Sequence, residues 1–377
     1  MRRLPLELLQ PGMIVARSVY SADGMLLINS GRELKPAYIT HLKNLGVSSV
    51  YVDDPLMPQA EVDDVIPEQV RVSAVKVVKH QLSLLSRPGG EVNPAIDQEK
   101  IKKTVTDIVN NLLVNKDIVV NLTDIRTVDD YTFSHSVNVC VLCLLTAISL
   151  NYPKKDLELL GVGALLHDIG KVRVSNAILN KPATLTSKEF EEIKQHSLYG
   201  YEILKVQRDI SHLSALVAYQ HHEKYNGSGY PNGLTANGIH EFSRIVGMVD
   251  VYDALTADRV YRKAYQPYEA FEMLAGSGNY LFDYGLIQAF LSNVALYPVG
   301  TLLRLSSGYA GVVINTPKGM THRPTVRIMF GPQMQPLTQT YEVVLTEEPR
   351  ILIEKVFTLE ETLALIQQTK YSQHNAI

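Results

Sequence analysis

Residues 131–150 read YTFSHSVNVCVLCLLTAISL, and this stretch decides the fold class. Phe133, Val137, Cys140, Val141, Leu144, Leu145 and Ile148 recur at i, i+4, i+7 and i+8 spacing, which lines them up as one apolar stripe on a helix. The apolar run from about Val137 to Leu150 is shorter than the roughly 18 residues of a bilayer span, so it predicts a buried core helix. His135 stands at its start, a polar residue entering an apolar element.

Outward from this helix the helical signal extends from about Pro67 to Phe290. One helix is predicted over Pro67–Leu85, and Asn93-Pro94 supplies an N-cap and N1 proline for a second that ends near Asn115. Thr186 and Glu189 have capping-box spacing, Pro267 opens a helix through Leu274, and a last one is expected over Leu286–Val294. Before this region, MIVARSVY and MLLINS flank the turn residues Ser21-Ala22-Asp23-Gly24, and PAYITHLKNL ends at Gly46. After Pro298 come TLLRLS, GVVIN, TVRIMF, YEVVL and ILIEKVF, short β-type runs, and then the helical LEETLALIQQTK. The expected architecture is mainly α. It comprises a small α+β N-terminal module (1–54), an acidic proline-bearing linker (55–66), a helical domain (67–297) and a small β-rich C-terminal extension (298–377).

Composition narrows the function classes. With 20% charged and 46% hydrophobic residues the 377-residue chain is ordinary globular material. A net charge of −3 argues against DNA binding or membrane adhesion through a global basic field. Cys140 and Cys143 alone cannot build a disulfide framework, and Pro5, Glu7 and Pro11 break any signal-peptide run, so a cytoplasmic protein is expected.

The histidines are unevenly spread. Seven of the 11 lie between residues 135 and 240, at His135, His167, His196, His212, His221, His222 and His240. His135, His167-Asp168, His196, His221-His222 and Asp250 follow one another at intervals of 25 to 32 residues, about the length of a helix plus a loop. One ligand or pair per successive helix, converging in a bundle core, is therefore expected, with each pair straddling a site because helical neighbours point about 100° apart. Five imidazoles and two carboxylates exceed the needs of one ion. A nitrogen and oxygen set without thiolate suits iron or manganese, with nickel, cobalt or zinc also compatible. Two such ions about 3.5–4 Å apart clamp the attacking and leaving oxygens of a phosphoester. His212 and His240 have no partner at matching spacing and are assigned to structure.

His167-Asp168-Ile169-Gly170-Lys171 resembles the signature of the HD phosphohydrolase superfamily. HHEKYNGSGYPNGL, with Gly229-Tyr230-Pro231, and DVYDALTADRVYRKA resemble the HD-GYP subfamily, as does YTFSHSVNV before them. The likeness covers about residues 120–295, and the N-terminal module is similar to one often fused ahead of HD-GYP domains. It implies an HD-type helical bundle with two divalent metal ions held by His135, His167, Asp168, His196, His221, His222 and Asp250. Tyr131 stands where some members carry a carboxylate for a third ion, which favours a two-metal site, and Asp130 is one residue out of phase.

The implied reaction is hydrolysis of a cyclic dinucleotide, cyclic di-GMP to linear pGpG and onward to GMP, with 3',3'-cyclic GMP-AMP as another substrate. Asp168 would bridge the ions while an activated water attacks phosphorus, and Lys171 would steady the phosphate or protonate the leaving group. Arg259 and Arg262 would contact phosphate, whereas Lys263 is read as solvated. Tyr230 would stack on a base, and Asp253 would orient a ligand histidine or else cap or salt-bridge a helix. The loop carrying Gly229, Tyr230 and Pro231 would also suit a protein partner, and a homodimer is compatible with the sequence. A non-catalytic cyclic-dinucleotide receptor or scaffold is the alternative reading, and a hydrolase of mononucleotides or linear phosphoesters is a third.

Overall fold

The computed structural model of the chain describes residues 2–21, 25–45, 47, 49–53, 65–85, 96–115, 118–120, 131–179, 181, 183–257 and 264–365. At the N-terminus β1 (Arg2–Pro5) pairs antiparallel with β4 (Ser49–Val52), setting Leu4 opposite Val50. Between them lie a ribbon of β2 (Val19–Tyr20) and β3 (Leu26–Ile28) and the helix α1 (Pro36–Asn44), which has proline in its first turn. These elements enclose their own core of Leu4, Leu6, Leu9, Val15, Leu34, Leu42, Val47, Val50 and Val52. The run MIVARSVY is a strand only at its end. The Val15 amide bonds Arg32 O and the Ala16 amide bonds Tyr51 O, so the segment divides its hydrogen bonds between two partners and cannot sustain one ladder.

The main body is helical. After α2 (Glu68–Leu85) comes α3 (Gln98–Val114), whose cap is Asp97 accepting the Lys100 amide. The helix therefore begins later than the expected start at Asn93-Pro94, two residues that lie outside the described part. Next comes α4 (Tyr131–Ser149), buried on every side from Ser134 to Ala147. The single predicted stripe is correct but too narrow, because α4 is surrounded. It packs against α2, α3, α5 (Lys154–Leu165), α10 (Glu241–Thr256) and α12 (Tyr284–Leu291). The remaining helices are α6 (Asn176–Leu179), α7 (Ser187–Lys194), α8 (His196–Lys205), α9 (His212–Gln220) and α11 (Pro267–Ala275).

The expected capping box at Thr186 and Glu189 is present in both directions, and His240 caps α10 by accepting the Phe242 amide. The last helix was expected over Leu286–Val294 and instead runs Tyr284–Leu291. Asp283 caps it by accepting the amides of Gly285 and Leu286, which shifts it towards the N-terminus.

A five-stranded antiparallel sheet ends the chain, ordered β8-β7-β6-β5-β9. Its strands are β5 (Leu302–Leu305), β6 (Ala310–Asn315), β7 (Thr325–Phe330), β8 (Pro336–Val344) and β9 (Ile353–Val356). One face buries Leu303, Leu305, Val313, Val326 and Ile328, and the other Leu302, Val312 and Phe330, as alternation along a strand requires. The fold is mainly α, a helical core with small α+β and β-rich attachments. Among the described residues no helix is long and apolar enough to cross a membrane.

Candidate metal centre

The seven expected ligand residues converge at one place in the helical body, but not one pair per helix. His135 lies in the second turn of α4, His196 is the first residue of α8, and Asp250 lies within α10. The two pairs sit where helices stop. His167-Asp168 follows the end of α5 and leads into a 3₁₀ turn (Ile169–Arg173), and His221 is the C-cap of α9 with His222 beyond it. A turn lets neighbouring side chains diverge more freely than a helix does, and it brings both members of each pair to the centre.

Their donor atoms form two groups. Asp168, His196, His221 and His222 make one, and His135, His167 and Asp250 the other, with the ligand atoms in each group mutually within 4.8 Å. Asp168 faces both. Its Oδ1 lies 3.4 Å from His196 Nε2 and 3.9 Å from His221 Nε2, while Oδ2 lies 3.4 Å from His167 Nε2 and 3.9 Å from His135 Nε2.

Backbone carbonyls set the tautomers. The Nδ1 atoms of His167, His196 and His221 face Ala164 O at 2.8 Å, Ile193 O at 2.6 Å and Ala218 O at 3.0 Å. A carbonyl only accepts, so each Nδ1 carries the hydrogen and each Nε2 presents a lone pair to the centre. His135 Nδ1 likewise donates to Asp253 Oδ2 at 2.7 Å. His196 Nε2 then lies 3.3 Å from His221 Nε2 and 3.1 Å from His222 Nε2. Among the described residues, His167 Nε2 and Asp168 Oδ1 are buried with no hydrogen-bond partner. Facing lone pairs and an orphaned carboxylate oxygen are what a cation relieves, so the residues fit divalent metal binding.

The electrostatics agree. Burial holds the imidazoles of His196 and His221 below their ordinary range and takes His222 to about 3, which keeps them neutral as ligands must be. Burial opposes the charge on Asp168 and Asp250, but Lys171 for the first and His135 for the second outweigh it and keep both ionised. The Lys171 ammonium donates to Asp168 Oδ2 at 2.5 Å from a side chain one-third exposed, so it stands at the mouth of the centre. Arg259 and Arg262 fall within 258–263, outside the described residues.

Two glycines permit this geometry. A Cβ on Gly170 would collide with the His196 carbonyl and the Gly200 amide, and one on Gly247 with the His221 carbonyl. Each glycine lets one element close onto the backbone of a candidate ligand. Tyr230, expected to meet a base, lays its ring on His222 with centroids 4.7 Å apart, and burial raises its phenol so that it keeps its proton.

The sequence reading passed over Glu223. It is 4% exposed, and its two oxygens accept the amides of Asn232 and Leu234, both at 2.8 Å, pinning the glycine-rich loop beside His222. The signal was present, since a loop rich in glycine must find acceptors for its buried amides. His212 and His240 keep to structural places, His212 against Tyr201 and His240 at its cap.

Comparison with known proteins defines the class. Residues 117–286 match the HD domain, and residues 302–365 match the KOW domain associated with the HD domain, so the β-rich extension has a family of its own. The chain is 36% identical over 274 residues to a cyclic di-GMP phosphodiesterase of Pseudomonas aeruginosa, across 70% of this chain and 66% of that one. It is 42% identical over 134 residues to the 3'3'-cGAMP-specific phosphodiesterase 3 of Vibrio cholerae, across 36% and 29%. A solved HDG"Y"P protein of Bdellovibrio bacteriovorus, 18% identical, superposes with a TM-score of 0.49 over 77% of this chain and 97% of that one. Residues 117–286 thus carry an HD domain, and the curated relatives that the chain matches are phosphodiesterases of cyclic dinucleotides. The chain spans less than two thirds of the length of these curated relatives, at 66% and 29%.

Proposed function

We propose that the chain is a cytoplasmic metal-dependent phosphodiesterase acting on cyclic dinucleotides. Cyclic di-GMP is opened to linear pGpG and carried on to GMP, with 3',3'-cyclic GMP-AMP a second substrate. One observation carries the reading, the two groups of converged donor atoms that share the carboxylate of Asp168. The activities named for the two curated relatives point the same way.

In this proposal His135, His167 and Asp250 would hold one divalent ion and His196, His221 and His222 the other, with Asp168, which faces both groups, shared between them. The donor set of imidazole and carboxylate favours iron or manganese. Bound there, the ions would supply the Lewis acidity that polarises a phosphodiester and acidifies water. The chain's own groups do the rest. Asp253 fixes the His135 ring by accepting its Nδ1 hydrogen. Lys171 exchanges part of its bond with Asp168 for a non-bridging phosphate oxygen, or gives its proton to the leaving alkoxide. Arg259 and Arg262 add positive charge for the phosphate, and the loop of Gly229, Tyr230 and Pro231 closes the wall behind His222 and offers a face to a protein partner.

Anaerobic reconstitution with Fe(II) or Mn(II), followed by turnover of cyclic di-GMP and 3',3'-cyclic GMP-AMP, tests the reading. Linear dinucleotide should appear with the wild type and not with the His167→Ala/Asp168→Ala double variant. Metal-loaded wild type that leaves both cyclic dinucleotides intact would falsify it.

A further inference from the structure

Beside the metal centre a cation is held between two aromatic rings. Lys194, in the last turn of α7, places Nζ 4.9 Å from the ring centroid of Phe190 and 5.6 Å from that of Tyr230. Tyr230 rests on His222, so this stack begins at the proposed ligands and runs outward to Phe190. Lys194 also donates to Glu191 Oε1 at 2.6 Å. The capping box of Thr186 and Glu189 fixes the start of the helix, and Glu223 pins the loop that carries Tyr230. The inner ring is therefore largely covered, while the outer one, Phe190, is 45% exposed.

An open aromatic face next to a donor and an acceptor matches the demands of one nucleobase. Guanine presents O6 and N7 as acceptors and its N2 amino group as a donor, whereas adenine presents an amino donor in place of O6. A lysine only donates and an ionised carboxylate only accepts. The Lys194–Glu191 pair, 26% and 64% exposed, sets both kinds side by side at the edge of the Phe190 face. Resting on the cyclic-dinucleotide reading above, we infer that Phe190, Lys194 and Glu191 form a guanine-selecting subsite. Phe190 stacks on the base, Lys194 donates to O6, and Glu191 accepts from the N2 amino group.

Binding of GMP and AMP to the manganese-loaded full-length protein reads the subsite without any diester to cleave. The wild type should hold GMP more tightly than AMP. Phe190→Ala should weaken GMP about tenfold, in keeping with the usual worth of base–aromatic stacking. Phe190→Trp should restore it, and both should keep the wild-type manganese content. Lys194→Met should narrow the gap between the GMP and AMP affinities, which a role in packing alone would not do. Equal wild-type affinity for the two nucleotides, or an unchanged GMP affinity in Phe190→Ala, overturns the subsite. Parallel turnover of cyclic di-GMP by the wild type separates the two claims. Turnover with an indifferent Phe190→Ala variant sinks the subsite alone, and GMP selectivity without turnover of any cyclic dinucleotide sinks the activity alone.

Discussion

At the scale of single residues the decisive contacts join positions far apart in the chain. Asp253 Oδ2 accepts from His135 Nδ1 at 2.7 Å across a separation of 118 residues. Its carboxylate and that of Asp250 outweigh the effect of burial and raise the His135 imidazole well above its ordinary range. Replacing Asp253 by Asn keeps the shape and removes the charge that orients and strengthens the ligand. Manganese affinity should fall about 10–100-fold, the usual cost of losing such a partner. Titration with manganese under competition from a chelator measures it, and unchanged affinity would mean that His135 needs no such support. The convergence of the proposed ligands was legible in the sequence because histidine and aspartate cluster there at helix-length intervals. Asp253 was legible only as one of several roles, since the sequence does not show which carboxylate meets which ring.

Elements decide whether those residues meet. The 3₁₀ turn Ile169–Arg173 packs on the start of α8 only because Gly170 has no side chain. Gly170→Ala drives a methyl group into the His196 carbonyl and the Gly200 amide, neither of which can rotate away. Such overpacking typically costs about 1–3 kcal/mol, and here it would also part Asp168 from His196. Urea unfolding together with manganese stoichiometry should show both losses. Gly238→Ala, whose nearest neighbour would be 3.8 Å away, should show neither. The expectation that the pairs ride on helices failed for a local reason. The period of a helix is visible in a sequence, but its last residue depends on which backbone amides and carbonyls find partners.

The start of α7 is an opposite case, written plainly in Thr186 and Glu189 and found intact. Lys181, with the Thr186 amide and hydroxyl, lowers the Glu189 carboxyl to about 2. A depressed folded-state value stabilises fully above the ordinary value and is lost as pH falls through the folded one. The stability advantage of wild type over Glu189→Gln should therefore hold steady from pH 7 to about 4.5 and shrink towards pH 2. Urea unfolding of both proteins along that pH series checks it, and an advantage that grows on acidification would contradict the assignment.

At the scale of the whole molecule the chain's two attachments meet. Residues 359–365 form a helical turn after β9, and its Leu359 and Leu363 pack on the N-terminal core with Leu4, Leu42 and Val50. Leu365, on the same turn, packs with Phe357 against the face of the sheet that holds Leu302, Val312 and Phe330. Thr358 and Glu361 cap the turn, and Glu361 also takes Lys355 of β9. A segment that reads in the sequence as a short helical end is thus the fastening between the first and last parts of the chain. Its spacing of leucines was visible, but the sequence does not reveal that the partner surface, the cluster that holds Leu4, Leu42 and Val50, lies some 300 residues upstream. The helical body supplies every proposed metal ligand without using this contact. Leu359→Ser/Leu363→Ser should therefore speed limited proteolysis between residues 1 and 54 while leaving manganese content and the main unfolding transition of the helical body where they are. If the double variant is cleaved no faster there, the N-terminal module stands on its own core. If manganese is lost as well, the fastening reaches the metal centre, and the three parts of the chain behave as one cooperative unit.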